Sequence, residues 1–146
     1  MQPTLFLEDL FVGQRFSSEP YALSKQQIIE FATDFDPQVF HLDEIAAHNT
    51  FFNGLAASGW HTGAITMRLL VASIPFGNGL IGAGVEIAWP RPTRPDDILQ
   101  VDSEILAIRH SQSKPDRGMV TLSAETRNQH GDLLQTLKTN VVVLRR

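Results

Sequence analysis

An aspartate and a histidine five residues apart, Asp36 and His41, are the pair in this sequence best suited to move a proton. They lie in the stretch Asp34-Phe35-Asp36-Pro37-Gln38-Val39-Phe40-His41-Leu42-Asp43. Side chains five apart do not share one face of a continuous helix. A turn induced by Pro37 would bring both into one pocket, where the pair could hold a water molecule between them and deprotonate it. Histidine titrates near neutrality, and a neighbouring carboxylate orients its ring. The same residues also suit a plain loop, because Asp-Pro is a common turn start and Asp43 a common helix cap. Residue types alone favour the loop. Asp34 is a second carboxylate nearby, and a different register would make it the working acid.

The second candidate segment is Gly54-Leu55-Ala56-Ala57-Ser58-Gly59-Trp60-His61-Thr62. It places Ser58 and Gly59 at the start of an apolar helix. Unpaired N–H groups at a helix N-terminus attract negative charge. An oxygen gaining negative charge in a transition state would be stabilised there by the N–H of Gly59 or Trp60. Gly59 would let a ligand approach the backbone closely. On the plainer assignment Ser58 caps the helix and Gly59 only packs. A capping Ser58 would also remove one donor from the ligand.

The other polar candidates are weaker. His61 either lines a pocket or packs in the core, while His48, His110 and His130 read as surface, strand-end and turn residues. Histidine spacing matches no metal signature, so no metal is expected. Ala57-Ser58-Gly59 lacks the glycine-flanked elbow of a serine hydrolase. Arg91 and Arg94, in the proline-rich run Trp89-Pro90-Arg91-Pro92-Thr93-Arg94-Pro95, have the chemistry to meet phosphates. Isolated basic residues are more often solvated loop charges.

These residues need elements to hold them. An extended segment is expected from Gln14 to Leu23. Ser24 then caps a helix, with Gln27 completing a capping box. Ile28, Ile29, Phe31 and Ala32 form its apolar face, and Pro37 ends it near Phe35. Asp43 caps a second short helix, Glu44 to His48. Ser58 opens a third and longer one that ends before Pro75. Its apolar residues Ala64, Ile65, Met67, Leu69, Leu70 and Val71 surround the axis, which predicts a buried central helix. Strands follow: Leu80 to Trp89, Ile98 to Arg109, Met119 to Arg127 and Leu133 to Leu144, the last two joined by a turn at His130-Gly131-Asp132. Successive strands with tight turns predict an antiparallel sheet wrapped around the central helix. Its free edge suits pairing with a second subunit.

Bulk properties exclude several function classes. The 146 residues suit one domain, 1–146. Twelve basic against sixteen acidic residues give a net charge of −4, with no electrostatic footprint for nucleic acid. The absence of cysteine removes disulfides, cysteine-metal sites and thiol nucleophiles together. The N-terminal stretch to Gly13 carries Glu8 and Asp9 and does not read as a signal peptide. Ala64 to Phe76 is too short and too interrupted to span a bilayer, so no membrane partner and a cytoplasmic location are expected.

Taken in order, these segments resemble the MaoC-like dehydratase family, which includes the (R)-specific enoyl-CoA hydratases. The family pattern runs Asp, any residue, Asn, Pro, an aliphatic residue, His, any residue, then an acid. Asp36, His41 and Asp43 match it, whereas Gln38 replaces the asparagine, Val39 the proline and Phe40 the aliphatic residue. Ala57 to Thr62, Met67-Arg68-Leu69, Trp89 to Pro92 and Arg94 to Asp97 also look like a variant within the family. The likeness runs from about Gly13 to the C-terminus.

The resemblance implies an α+β hotdog fold, usually dimeric or of higher order. It implies a dyad of Asp36 and His41 that activates water for syn addition to a trans-2-enoyl thioester of coenzyme A or a carrier protein. Gly59 would bind the thioester oxygen. Gln38, Ser58, Trp60, Arg91 and Arg94 would contact substrate or water. No metal or redox cofactor is required for this chemistry. A thioester hydrolase on the same fold and a non-catalytic thioester-binding or partner subunit are the alternatives.

Overall fold

The computed structural model describes residues 2–146. Helix α1 spans Lys25–Phe35 and starts with the expected reciprocal cap. Ser24 Oγ accepts from the Gln27 N–H at 3.2 Å, and Gln27 Oε1 accepts from the Ser24 N–H at 2.9 Å. It buries Ile28 and Ala32 and stops one residue before the Asp36-Pro37 bond, because a residue preceding proline avoids helical geometry.

The stretch between Asp36 and Asp43 is more ordered than the sequence suggests. It contains a single helical turn, α2 (Val39–Leu42), which carries His41. Asp43 does cap the following turn, with Oδ1 accepting from the N–H groups of Ile45 and Ala46 at 3.0 Å each. That turn is the 3-10 segment Ala46–Asn49, not the α-helix expected over Glu44 to His48.

Helix α3 covers Gly59–Ser73 and ends before Pro75 as expected. It is not buried all round. Thr62, Ile65, Thr66, Leu69 and Leu70 face the interior, while Trp60, Met67 and Val71 are 63%, 43% and 55% exposed. Hydrophobicity on every side reflects two different surfaces, one against the sheet and one open in the single chain.

Six strands complete the chain: β1 (Arg15–Ser17), β2 (Tyr21–Ala22), β3 (Ile81–Ala88), β4 (Ile98–His110), β5 (Arg117–Arg127) and β6 (Leu133–Leu144). Their order is β1-β4-β5-β6-β3, with β2 also on β4, and every pairing is antiparallel. Alternation along β4 sends Leu99, Val101, Ser103 and Ile105 inward. The pairing with β5 then shifts between Ile105 and Ala107, and the alternation slips there. Asn128 builds the β5–β6 turn: its Oδ1 accepts from the N–H groups of His130 and Asp132 at 3.0 Å, and Gly131 takes φ +81°.

The core lies between α3 and the sheet. Ile65, Leu69 and Leu70 meet Leu99, Val101, Ile105, Val120, Leu122, Val141 and Val143 in one cluster. Each fully buried aliphatic side chain there contributes roughly 1.5–3 kcal/mol. An antiparallel sheet around one long helix is the α+β hotdog fold.

Candidate active site

His41 is 4% exposed and has both ring nitrogens committed. Its Nδ1 lies 2.6 Å from the Ala56 carbonyl oxygen. A carbonyl only accepts, so Nδ1 carries hydrogen. The opposite nitrogen, Nε2, lies 3.2 Å from Asp36 Oδ2. At this distance a proton carried by one of the two atoms is within reach of the other. No water fits between atoms this close. The expected water must sit beside the pair, not inside it.

Gln38 completes this unit. Its Nε2 donates to Asp36 Oδ1 at 2.6 Å, which leaves the amide carbonyl available to solvent or water. Burial pushes the Asp36 carboxyl up, but hydrogen bonds from Gln38, Ser58 and His41 and the His41 charge outweigh it, so the group sits below the usual carboxylate value. Asp34 is exposed on the surface of α1, and Asp36 is the carboxylate that reaches the imidazole.

The start of α3 supplies the second part. Ser58 is fully buried, and its Oγ accepts from the Trp60 N–H at 3.2 Å. The Trp60 N–H is therefore not free for a thioester oxygen, contrary to one of the two donor assignments. The Gly59 N–H makes no hydrogen bond among the described residues and remains at the positive end of a 15-residue helix. Gly59 is tightly approached, but by protein and not by open ligand space. A Cβ built on it would meet Trp89 Cε2 at 2.7 Å. The Trp60 ring packs edge-on against Trp89, centroids 5.5 Å apart.

A cleft of about 630 Å³ opens beside these groups. His41, Gln38, Gly59 and Thr62 line it, together with Phe40, Phe51, Phe52, Trp89, Pro90, Arg91 and Arg94. Phe40, Phe52 and Phe51 pack in sequence, with neighbouring centroids 5.0 and 5.4 Å apart, and form an aromatic wall. The proline-rich connection also lines the cleft and anchors the segment between Phe52 and Ala57. Thr93 O accepts from the Ala57 N–H at 2.8 Å, and Arg94 donates to Leu55 O at 3.1 Å and Phe52 O at 2.5 Å. Arg94 thus holds the strained segment where Asn53 and Gly54 take positive φ. Arg91 is more exposed and pairs with Asp132 at 3.1 Å.

His61 lies outside the cleft lining, stacked on Phe31 with centroids 4.4 Å apart. Its Nδ1 is buried without a partner among the described residues, and burial holds its pKa below the usual histidine value. No group of histidine and acidic residues suited to a metal ion occurs among the described residues. No helix there is long and apolar enough to cross a membrane. Sequence reasoning missed the aromatic wall and the Ala56 carbonyl. The Phe51-Phe52 doublet was a usable signal; a backbone carbonyl leaves none.

Comparison with known proteins agrees with this fold. Residues 11–128 match the family described as MaoC like domain. The chain is 35% identical over 126 residues to the uncharacterised protein YdeM of Bacillus subtilis (strain 168), covering 84% of this chain and 87% of that protein. It superposes on the crystal structure of a MaoC-like dehydratase from Rhodospirillum rubrum with a TM-score of 0.95 and 55% identity, covering 97% of this chain and 98% of the other. For an (R)-hydratase from A. caviae involved in PHA biosynthesis the TM-score is 0.76 and the identity 26%, over 94% and 98% of the two chains. The chain belongs to the MaoC-like dehydratase family.

Proposed function

We propose that this protein, as one domain, adds water to or removes it from the 2,3 bond of an enoyl or 3-hydroxyacyl thioester. The observation that carries this reading is the 3.2 Å approach of Asp36 to His41 beside an apolar cleft that Gly59, whose N–H is unbonded among the described residues, also lines. In hydration, a water beside the pair attacks C3. Its proton passes to the dyad, and the dyad delivers one proton to C2. One proton enters and one leaves, so the pair is regenerated in a single turnover. Both transfers come from the same side of the substrate, which matches syn addition.

The thioester oxygen gains charge as C3 is attacked, and the Gly59 N–H and the α3 dipole stabilise it. The Gln38 carbonyl accepts from the attacking water. Ser58 acts behind the site by holding Asp36 and the first turn of α3. Trp60 braces Trp89, which borders the cleft. Arg91 reaches the phosphates of coenzyme A or a carrier arm, and Arg94 keeps the aromatic wall in place while facing the same cleft. A homodimer or higher oligomer suits the apolar face of α3 and the free edge of β3.

The test follows loss of enoyl-thioester absorbance on adding short trans-2-enoyl-CoAs to wild type and to the His41→Ala variant. Turnover that requires His41 is expected. Release of free thiol from saturated acyl-CoA without hydration would reassign the site to thioester hydrolysis.

A further inference from the structure

The Trp89 indole is held from behind by a polar network that the proton chemistry does not use. Gln135 on β6 is fully buried. Its Oε1 accepts from Trp89 Nε1 at 2.9 Å, and its Nε2 donates to Thr66 Oγ1 at 3.0 Å. An indole N–H only donates, so it fixes which way the amide faces. The Thr66 hydroxyl in turn donates to Thr62 O at 2.9 Å and stands 2.6 Å from Thr126 Oγ1. With its single hydrogen committed, it accepts from both Gln135 and Thr126, which saturates it. A buried network whose members bond to one another holds them in one arrangement.

That arrangement fixes the ring against Gly59 at the wall of the cleft. The indole carbons touch the Gly59 α-carbon so closely that no Cβ fits between them. Thr62 and Thr93, which line the same cleft, bond to each other at 2.8 Å. A chain whose thioester oxygen rests on the Gly59 N–H therefore meets Trp89 and the bonded threonine pair.

We infer that Trp89 limits acyl-chain depth and confines the site to short acyl groups, with Gln135 as the residue that positions it. This rests on reading the cleft as an acyl-thioester site, but it is testable by binding alone. Titration calorimetry would compare saturated butyryl-CoA with decanoyl-CoA on wild type, Trp89→Ala, Trp89→Leu and Gln135→Met. Turnover of crotonyl-CoA would be followed in parallel.

Wild type is expected to bind butyryl-CoA at least about tenfold more tightly than decanoyl-CoA, the scale on which pocket size discriminates chains. Either Trp89 variant should erase or reverse that ratio. Gln135→Met should move the ratio in the same direction, because the ring loses its acceptor. Equal or tighter binding of decanoyl-CoA by wild type overturns the inference. So does an unchanged ratio in a folded Trp89 variant. A Gln135→Met protein that melts earlier but keeps the ratio removes Gln135 from the role. Length-selective binding without crotonyl-CoA turnover would leave the Trp89 inference standing and overturn the hydratase reading.

Discussion

Asp36 Oδ2 and His41 Nε2 stand 3.2 Å apart, and the Ala56 carbonyl holds the far side of the imidazole at 2.6 Å. The carbonyl fixes the hydrogen on Nδ1 and so decides which nitrogen faces the carboxylate. Removing either partner should lower hydration by about 10²–10⁴-fold, the usual scale of acid–base catalysis. Steady-state rates of His41→Ala and Asp36→Asn, with circular dichroism to establish folding, check this. Full activity in either folded variant removes that residue from the mechanism.

Ser58 ties the charge of Asp36 to the start of α3. Its hydrogen bond helps to hold the Asp36 carboxyl below the usual value, and its Oγ caps the Trp60 N–H. Ser58→Ala should therefore have two effects. The lost cap should cost about 1 kcal/mol of stability. The Asp36 carboxyl should titrate at higher pH, because one group that favours its ionised form is gone. In wild type the carboxylate stays ionised to lower pH than an ordinary carboxylate does. In the variant the acid limb of the kcat/KM profile should move upward. A profile that stays in place while the melting temperature drops would limit Ser58 to capping.

Local rules read well where local chemistry sets the outcome. Ser24 and Gln27 formed their box, Pro37 ended α1, and β5 and the first half of β4 followed their alternation. The Asp36–His41 pair was legible too, because a proline-centred turn is a local device. The Trp89–Gln135 contact was not, since 46 residues separate its partners and only strand pairing brings them together. The two faces of α3 were merged for a similar reason. Ile65 and Met67 are both apolar, and sequence does not say which one the sheet covers.

His61 should give the protein a pH-dependent stability separate from catalysis. Burial lowers its folded-state pKa, so below about pH 6.5 the unfolded chain binds the proton more readily than the folded one. Stability from this group is complete above that value. It declines as pH falls toward the folded-state pKa. His61→Phe keeps a ring against Phe31 and removes the unpartnered Nδ1. Thermal melts between pH 7 and the acid limb should show a shallower decline for the variant, an effect whose range is set by ~1.4 kcal/mol per pKa unit. Parallel melting curves for the two proteins would place the acid sensitivity elsewhere.

The open face of α3 and the β3 edge predict self-association. Trp60, Met67 and Val71 expose apolar surface on one side of the helix, and Ile81 and Val85 do so on the terminal strand of the sheet. Contiguous apolar surface beside an unpaired strand edge is costly in water. Sedimentation should find wild type as a dimer or larger. Met67→Glu combined with Val71→Lys should shift it toward monomer. A wild-type monomer at micromolar concentration would reject the assembly.

Gly59→Ala tests whether the Trp89 ring is fixed or merely nearby. The added methyl would lie 2.7 Å from Trp89 Cε2, well inside contact distance. Relief requires the ring to move, yet its N–H is bonded to the buried Gln135 amide. The single variant should lose about 1–3 kcal/mol of stability from overpacking. Trp89→Leu should remove the obstacle, so Gly59→Ala made in that background should cost much less. The difference between the two costs is the coupling energy of a double-mutant cycle, and contacting residues typically give about 0.5–3 kcal/mol. If the methyl costs the same in both backgrounds, the glycine serves the helix start and not the indole, and the ring is free to move.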